Sequence, residues 1–399
     1  EVFKGSFTQQ EPIPEDGIAA AVAGMRTGRL HRYNLAPGET GEAAELERDF
    51  AAMMGVPCAL AVASGGHAMT TALRAAGVKP GEPVLSNAFT LAPVPGAIAA
   101  VGAVPVHVEV CDDLTIDLVD LSSKIAATPA ARVLLLSHMR GHICDMDRLM
   151  AICDAAGITV IEDCAHTMGA TWRGQLSGTH GRVGCFSTQS YKHLNSGEGG
   201  LLITRDTGLM ARAVVLSGSY MFYDRHIAAP GPQAFAAAKY DMPNISGRMD
   251  NLRAAILRPQ LARLQDRCAA WTARYRAVED GLRGTPGLRI IERPAEEGFV
   301  GSSIQFLAPG WPPERVRELL ARCAARGVEL KWFGAPEPAG FTSRHDSWRF
   351  APAQSLPRTD RVLAGLLDMR LPLTFSLDDC ALLARIIRAE AGALWQAGT

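Results

Sequence analysis

The chain has 399 residues, 48 % hydrophobic and 20 % charged, which is the make-up of an ordinary folded protein with room for one large α/β domain and a smaller one. Forty basic against forty-one acidic side chains leave a formal net charge of −1, so no global field draws a nucleic acid or an anionic membrane, and neither is expected as a partner. Nine scattered cysteines, odd in number and never in a CxxC pair, exclude a disulfide framework and a zinc knuckle and point to a reducing cytoplasm.

From residue 42 onward, amphipathic helices alternate with short apolar runs. The helix EAAELERDFAAMMG (42–55) precedes the strand CALAVAS (58–64), and the helix HAMTTALRAAG (67–77) precedes PVLSN (83–87). The weakly polar run 89–106 reaches membrane length, but Pro93, Pro95 and Pro105 make it a loop, a short buried helix and a strand. PVHVEV (105–110), RVLLLSH (132–138), ITVIED (158–163), GCFSTQ (184–189) and GLLIT (200–204) complete seven strands. Continuous apolar strands separated by helices predict a mostly parallel sheet covered on both faces. A long helix over 251–282 follows, kinked at Pro259, where a helix hydrogen bond is lost. Strands at 288–292, 302–308 and 328–333, with helices at 313–327 and 376–394, make a smaller α/β domain. The division expected is residues 1–255 for the large domain and 256–399 for the small one.

Two segments carry chemistry. ITVIEDCAH ends a strand in two carboxylates, and SYKHLNSGEGG places Lys192 in the turn that follows another strand. Ligands of open parallel sheets bind at the carboxyl ends of the strands. If those two strands are neighbours, Asp163 and Lys192 face one pocket. Pyridoxal 5'-phosphate wants that pair: a lysine that forms its Schiff base and then moves protons, and an acid that keeps its ring nitrogen protonated. Strand, glycine pair and helix in ASGGHAMTTALRAAG (63–77) can cradle the phosphate with free backbone N–H groups. The glycine segments match neither GxGxxG nor a Walker lysine, so no nucleotide site is expected. His138, His142 and Asp145 lack a water-activating set, so no metal is expected either.

Taken in order, ASGGHA, NAFT (87–90), HMRGHICDMD (138–147), IEDCAHTMGA (161–170), CFSTQSYKHLNSGEGGLLIT (185–204) and GRMDNLRAAI (247–256) resemble the DegT/DnrJ/EryC1/StrS aminotransferases. The resemblance runs from about residue 20 to the last helix and implies a fold-type I pyridoxal-phosphate enzyme acting in biosynthesis. It makes Lys192 the Schiff-base lysine and Asp163 the partner of the pyridinium nitrogen. It puts His166 at the cofactor's phenolic oxygen, Ser187 on the phosphate, and the amides of Gly66 and His67, beside Gly65, in the phosphate loop. It further implies a glutamate or glutamine donor, a small-molecule keto acceptor such as a sugar or cyclitol, and a homodimer whose subunits complete each other's sites.

Departures accompany the likeness. Gly66 stands where the family carries a threonine, and Leu91 where it stacks an aromatic on the ring. Ser246 stands where it carries the partner's asparagine, with Asn244 close by as a substitute. The segment KWFGAPEPAGFTSR (331–344) differs most, and its Trp332, Phe333 and Arg344, with Lys331, are expected at the acceptor, either there or as strand end and solvated cations. Two other readings of the scaffold stay open, a dehydratase or lyase and a non-catalytic binder, though relatives that dehydrate sugars replace the lysine that this chain keeps.

Overall fold

The computed structural model describes residues 1–397. Its strands in chain order are β1 (Cys58–Val62), β2 (Pro83–Asn87), β3 (Val104–Val108), β4 (Val133–Ser137), β5 (Thr159–Asp163), β6 (Thr171–Trp172), β7 (Gln175–Leu176), β8 (Val183–Ser187), β9 (Gly200–Thr204), β10 (Arg289–Ile290), β11 (Glu297–Gly298), β12 (Ser303–Leu307), β13 (Lys331–Trp332) and β14 (Leu366–Arg370). Seven of them form the main sheet in the order β1-β9-β8-β5-β4-β2-β3. All neighbours are parallel except β9, which runs against both β1 and β8.

Alternate residues of each strand enter opposite layers, as the two-residue period of a strand requires. Leu60 and Val62 join the core under the helices Gly65–Ala75 and Thr207–Ser217, whereas Ala59 and Ala61 join the core under Glu42–Met54 and Asn251–Leu261. Both faces are therefore buried, and strands β1, β4, β8 and β9 are buried along their whole length. This is the α/β architecture with a mostly parallel seven-stranded sheet that the sequence predicts.

The second sheet, in the order β10-β12-β14-β13, packs against the helices Leu264–Leu282, Pro313–Ala325 and Leu377–Gln396. Phe3 and Phe7 pack in this same core, where they and Phe375 form an edge-to-face trio with ring centroids 4.9–5.6 Å apart. The helix expected over 251–282 is two helices, Asn251–Leu261 and Leu264–Leu282. Pro259 lies inside the first, and the chain breaks within the next turn, at Ala262 and Arg263. The sequence reading passes over β14, because Asp368 and Arg370 interrupt its apolar run. Asp368 is nonetheless fully buried, held by Arg140 and Gln305.

Candidate active site

Strand β5 ends with Glu162 and Asp163, which the strand period sends to opposite faces. Glu162 accepts hydrogen bonds from the amides of Gly178, His180 and Gly181 and lies 2.9 Å from His138 Nε2, so it fastens the turn ahead of β8. Asp163 turns into a cavity of about 600 Å³ at the carboxyl ends of the strands. Its Oδ1 accepts from the Ala165 amide at 3.1 Å, and its Oδ2 from the Ser137 hydroxyl at 3.1 Å. Thr90 donates in turn to the Ser137 hydroxyl at 2.8 Å. Burial raises the Asp163 pKa above the ordinary aspartate value, against the lowering effects of the Ala165 amide and of Lys192. The result is a desolvated carboxylate that a further cation would stabilise.

Lys192 lies five residues beyond Ser187, the last residue of β8, in a turn closed by its amide donating to the Gln189 carbonyl at 2.8 Å. Strands β5 and β8 are parallel neighbours, with Asp163 paired to Cys185, so the acid and the lysine do face one pocket. The Lys192 amine stands 3.1 Å from His166 Nε2. Desolvation, joined by the positive charge of Arg140, brings its pKa down to about 7, with Asp163 pulling the other way. The buried His166 is held well below the ordinary histidine pKa, first by burial and then by Lys192, so its ring is neutral beside the amine.

The cavity's opposite wall is the start of the helix Gly65–Ala75. Ser64 caps this helix by accepting the His67 amide at 3.0 Å. His67 thus has its amide engaged within the chain, and its ring lies against Gly247 and does not line the cavity. Gly65 and Gly66, which do line it, are the first-turn residues left to meet an anion. A Cβ on Gly65 would sit 2.8 Å from the Ser187 Cβ, and one on Gly200 would run into the Ser64 carbonyl. The glycines after Lys192 are therefore what lets β9 pass close against this loop.

Leu91, His166 and Ser187 line the cavity. Asn244 and Ser246 do not; they are exposed and bonded to each other, with the Ser246 amide donating to Asn244 Oδ1 at 3.0 Å. Trp332, Phe333 and Arg344 are also absent from the lining. Trp332 is buried in the second core and its indole N–H donates to the Ala364 carbonyl, while Phe333 packs edge-on to Phe89. Arg344 pairs with Asp346 and Asp360, and Lys331 with Glu329. Of the two readings of this segment, the arrangement within this chain favours the second: the aromatic pair is buried at a strand end and the cations are paired with acids.

The residues that the sequence reading missed are Ser137, Arg140, Tyr191, Phe341 and Arg370, all of which line the cavity. Arg140 lies within HMRGH, a segment noted for its order among the motifs and for its histidines, and Tyr191 and Phe341 lie within quoted stretches. A cation inside HMRGH, next to a carboxyl-terminal strand end, was the available signal.

The description "DegT/DnrJ/EryC1/StrS aminotransferase family" belongs to the family model that matches residues 34–387. Among curated relatives, the UDP-N-acetyl-3-dehydro-alpha-D-glucosamine 3-aminotransferase of Acidithiobacillus ferrooxidans is 34 % identical over 285 residues, 67 % of this chain and 72 % of that protein. The dTDP-3-amino-3,4,6-trideoxy-alpha-D-glucose transaminase of Streptomyces venezuelae is 31 % identical over 346 residues, 85 % and 83 % of the two chains. Among solved structures, 3-amino-5-hydroxybenzoic acid synthase superposes with a TM-score of 0.84 at 24 % identity, over 98 % of this chain and 100 % of that one, which is a likeness of fold. Motif order, strand order and the family match over 34–387 together make this chain a member of the DegT/DnrJ/EryC1/StrS aminotransferase family.

Proposed function

We propose that the chain moves an amino group from an amino-acid donor, glutamate or glutamine, to the keto group of a small biosynthetic intermediate, with pyridoxal 5'-phosphate as cofactor. The observation that carries this reading is the joint placement of Asp163 and Lys192 on one cavity at neighbouring strand ends. The residues present fit the cofactor: a buried acid short of a cation, an amine whose pKa lies near 7, and a glycine-led helix start beside the Ser187 hydroxyl.

When bound, pyridoxal 5'-phosphate supplies an electrophilic carbonyl carbon and a ring that draws electrons from the substrate's α-carbon. Asp163 holds the proton on the ring nitrogen, because an opposite charge in a dry site favours the charged form. The Ser137 hydroxyl fixes the orientation of that carboxylate. Gly65, Gly66 and Ser187 hold the phosphate, the helix start adding its positive end. Neutral His166 would serve the phenolic oxygen, and Leu91, which also lines the cavity, would offer the ring an apolar contact. Lys192 moves the proton at the substrate carbon; a pKa near the working pH is what a group needs to take and return a proton with comparable ease.

The exposed side chains of Tyr220, Met221, Phe222, Ile227, Tyr240 and Ile245 gather on the segment that also carries Asn244 and Ser246. Several large apolar side chains left exposed on one segment are what a partner surface covers. It supports a homodimer in which Asn244 or Ser246 reaches the partner's site. No helix among the described residues is long and apolar enough to cross a membrane, which is compatible with the cytoplasmic location that the cysteine pattern suggests.

Half-reaction screening tests the reading. The loaded protein is mixed with a panel of amino acids and its cofactor absorbance followed, and the aminated protein is then mixed with ketones. Conversion by glutamate or glutamine and recovery by a ketone are expected; donor conversion with loss of ammonia or water and no recovery by any ketone would replace transfer with elimination.

A further inference from the structure

Two guanidinium groups face the cavity and are not among the residues assigned to the cofactor above. Arg140 lies in the turn after β4, at φ 56°, and Arg370 ends β14 in the second sheet. They approach the cavity from different parts of the fold. Arg140 is 6 % exposed and donates through Nη2 to Asp368 at 2.8 Å. Asp368 is shared, since it also accepts from the Gln305 amide at 2.7 Å. The Arg140 Nε is buried and has no hydrogen-bond partner. Arg370 lies 3.9 Å from the centroid of the Tyr191 ring and 5.0 Å from that of Phe341, which also carries Arg140 at 4.6 Å. Among the described residues Arg370 makes no ion pair and no side-chain hydrogen bond, so its fork of donors is held flat by two rings and left open.

The charges settle what such a fork can take. Arg140 and Arg370 bring two fixed positive charges to the cavity, and Lys192, with its pKa near 7, part of a third. Asp368 answers Arg140, and Asp163 answers Lys192 or the cofactor ring. Glu198, the remaining acid of the lining, is exposed and forms no ion pair. The cofactor's phosphate, placed at Gly65, Gly66 and Ser187, belongs to another strand end. One guanidinium therefore lacks a counter-charge. A planar fork fixed between aromatic faces matches a carboxylate through two parallel hydrogen bonds. In an aminotransferase the donor and the acceptor occupy the same pocket in turn. An uncharged acceptor would desolvate this pair of cations with nothing to balance them, which is costly for buried charges. A cavity of about 600 Å³ that must also hold the cofactor leaves room for a compact molecule. The apolar side chains Met69, Leu91, Val94 and Met139 line the rest and suit a carbon ring.

From these observations, and resting on the aminotransferase reading above, we infer that Arg370, with Arg140 beside it, receives the carboxylate of the keto acceptor, so that the substrate class is a compact cyclic keto acid.

Benzoate and benzamide, near-isosteres of which only the first carries the charge and the second acceptor oxygen, are the first probes, titrated into the protein by calorimetry. Benzoate is expected to bind at least about tenfold more tightly, the order of one charge-assisted hydrogen bond. Arg370→Gln should remove the preference while the melting temperature and cofactor absorbance stay as in the parent, and Arg370→Lys, which keeps the charge but not the fork, should restore part of it. In the second arm the aminated enzyme meets cyclic ketones with and without a ring carboxylate. Arg370→Gln should raise KM about ten- to a hundredfold for the carboxylated ketones alone. Equal binding of the two probes, a preference that survives Arg370→Gln, or an effect confined to the glutamate half-reaction would overturn the assignment. The probe titration is repeated on cofactor-free protein. A protein that prefers benzoate yet never exchanges nitrogen would refute the transfer reading by itself, and transfer to uncharged ketones without any benzoate preference would refute only the carboxylate site.

Discussion

The amine of Lys192 stands 3.1 Å from Nε2 of His166, in a cavity where burial and neighbouring cations hold both groups below their ordinary pKa values. Around neutral pH the amine is therefore divided between its charged and free forms, unlike a surface lysine, which stays charged.

A first expected outcome concerns that proton. In cofactor-free protein, acylation of Lys192 measured by mass spectrometry should increase with pH through a midpoint of about 7. Exposed lysines should react with midpoints near the ordinary 10.4. A Lys192 midpoint above about 9 would show that the pocket does not desolvate the amine. Arg370→Gln removes one of the repelling charges, so the midpoint should move upward in that variant.

Asp163→Asn keeps the size of the side chain and one acceptor oxygen, turns the other acceptor into a donor, and removes the charge beside the ring nitrogen. A loss in turnover of at least about a hundredfold is expected, comparable to the removal of a positioned acid or base. Ser137→Ala, which removes only the hydroxyl that orients Asp163, should lose far less. Steady-state rates with saturating cofactor give both values, and a near-normal Asp163→Asn enzyme would move the acid elsewhere.

Glu162, the other acid at the end of β5, does not line the cavity, and its variant should behave differently. The carboxylate is fully buried with three backbone donors and His138. Burial would raise its pKa, but the His138 contact and the Gly181 amide together bring it below the ordinary value. The folded pKa is thus lower than the unfolded one. Its stabilising contribution is complete above about pH 4.5 and is lost as the pH falls through the folded value. Glu162→Gln should destabilise the protein by about 3–5 kcal/mol, as for a broken buried pair, and should flatten the acid limb of a melting-temperature profile. The absorbance of any cofactor still bound should not shift.

Arg344→Ala should leave KM for both substrates within about twofold. The guanidinium is joined to Asp346 and Asp360 at the surface, where such pairs contribute about 0–1 kcal/mol. A large KM change would return this residue to the acceptor site.

Much of the frame was legible because it rests on local signals. Each of the seven main strands announces itself as a short apolar run; Asp163 ends one of them and Lys192 lies in the turn after another. The second half of the site was less legible. Arg370 reaches the cavity only because β14 lies inside a sheet whose neighbours come from residues 303–307 and 331–332, and no spacing in the sequence encodes that pairing. Asp368 looked like an interruption because its buried partner, Arg140, is more than two hundred residues away. Trp332 and Phe333 left two readings open for the opposite reason. Aromatic residues beside cations suggest a ring-binding surface, yet at a strand end they equally well fill a core, and here they do. His67 carried the right backbone position but not a free amide, since Ser64 caps the helix first.

The dimer is checked at its apolar patch. Met221→Asp, which places a charge among Tyr220, Phe222 and Ile227, should shift the sedimentation coefficient to that of a monomer and reduce turnover sharply if Asn244 or Ser246 serves the partner's site. A fully active monomer would remove the shared site.

The most direct measurement reduces the pyridoxal-phosphate-loaded protein with borohydride and maps the modified peptide by mass spectrometry. The account requires a single stable modification, on Lys192, which disappears in Lys192→Ala. Modification of a different lysine, or a Lys192→Ala protein that retains more than a few per cent of its activity, would contradict it.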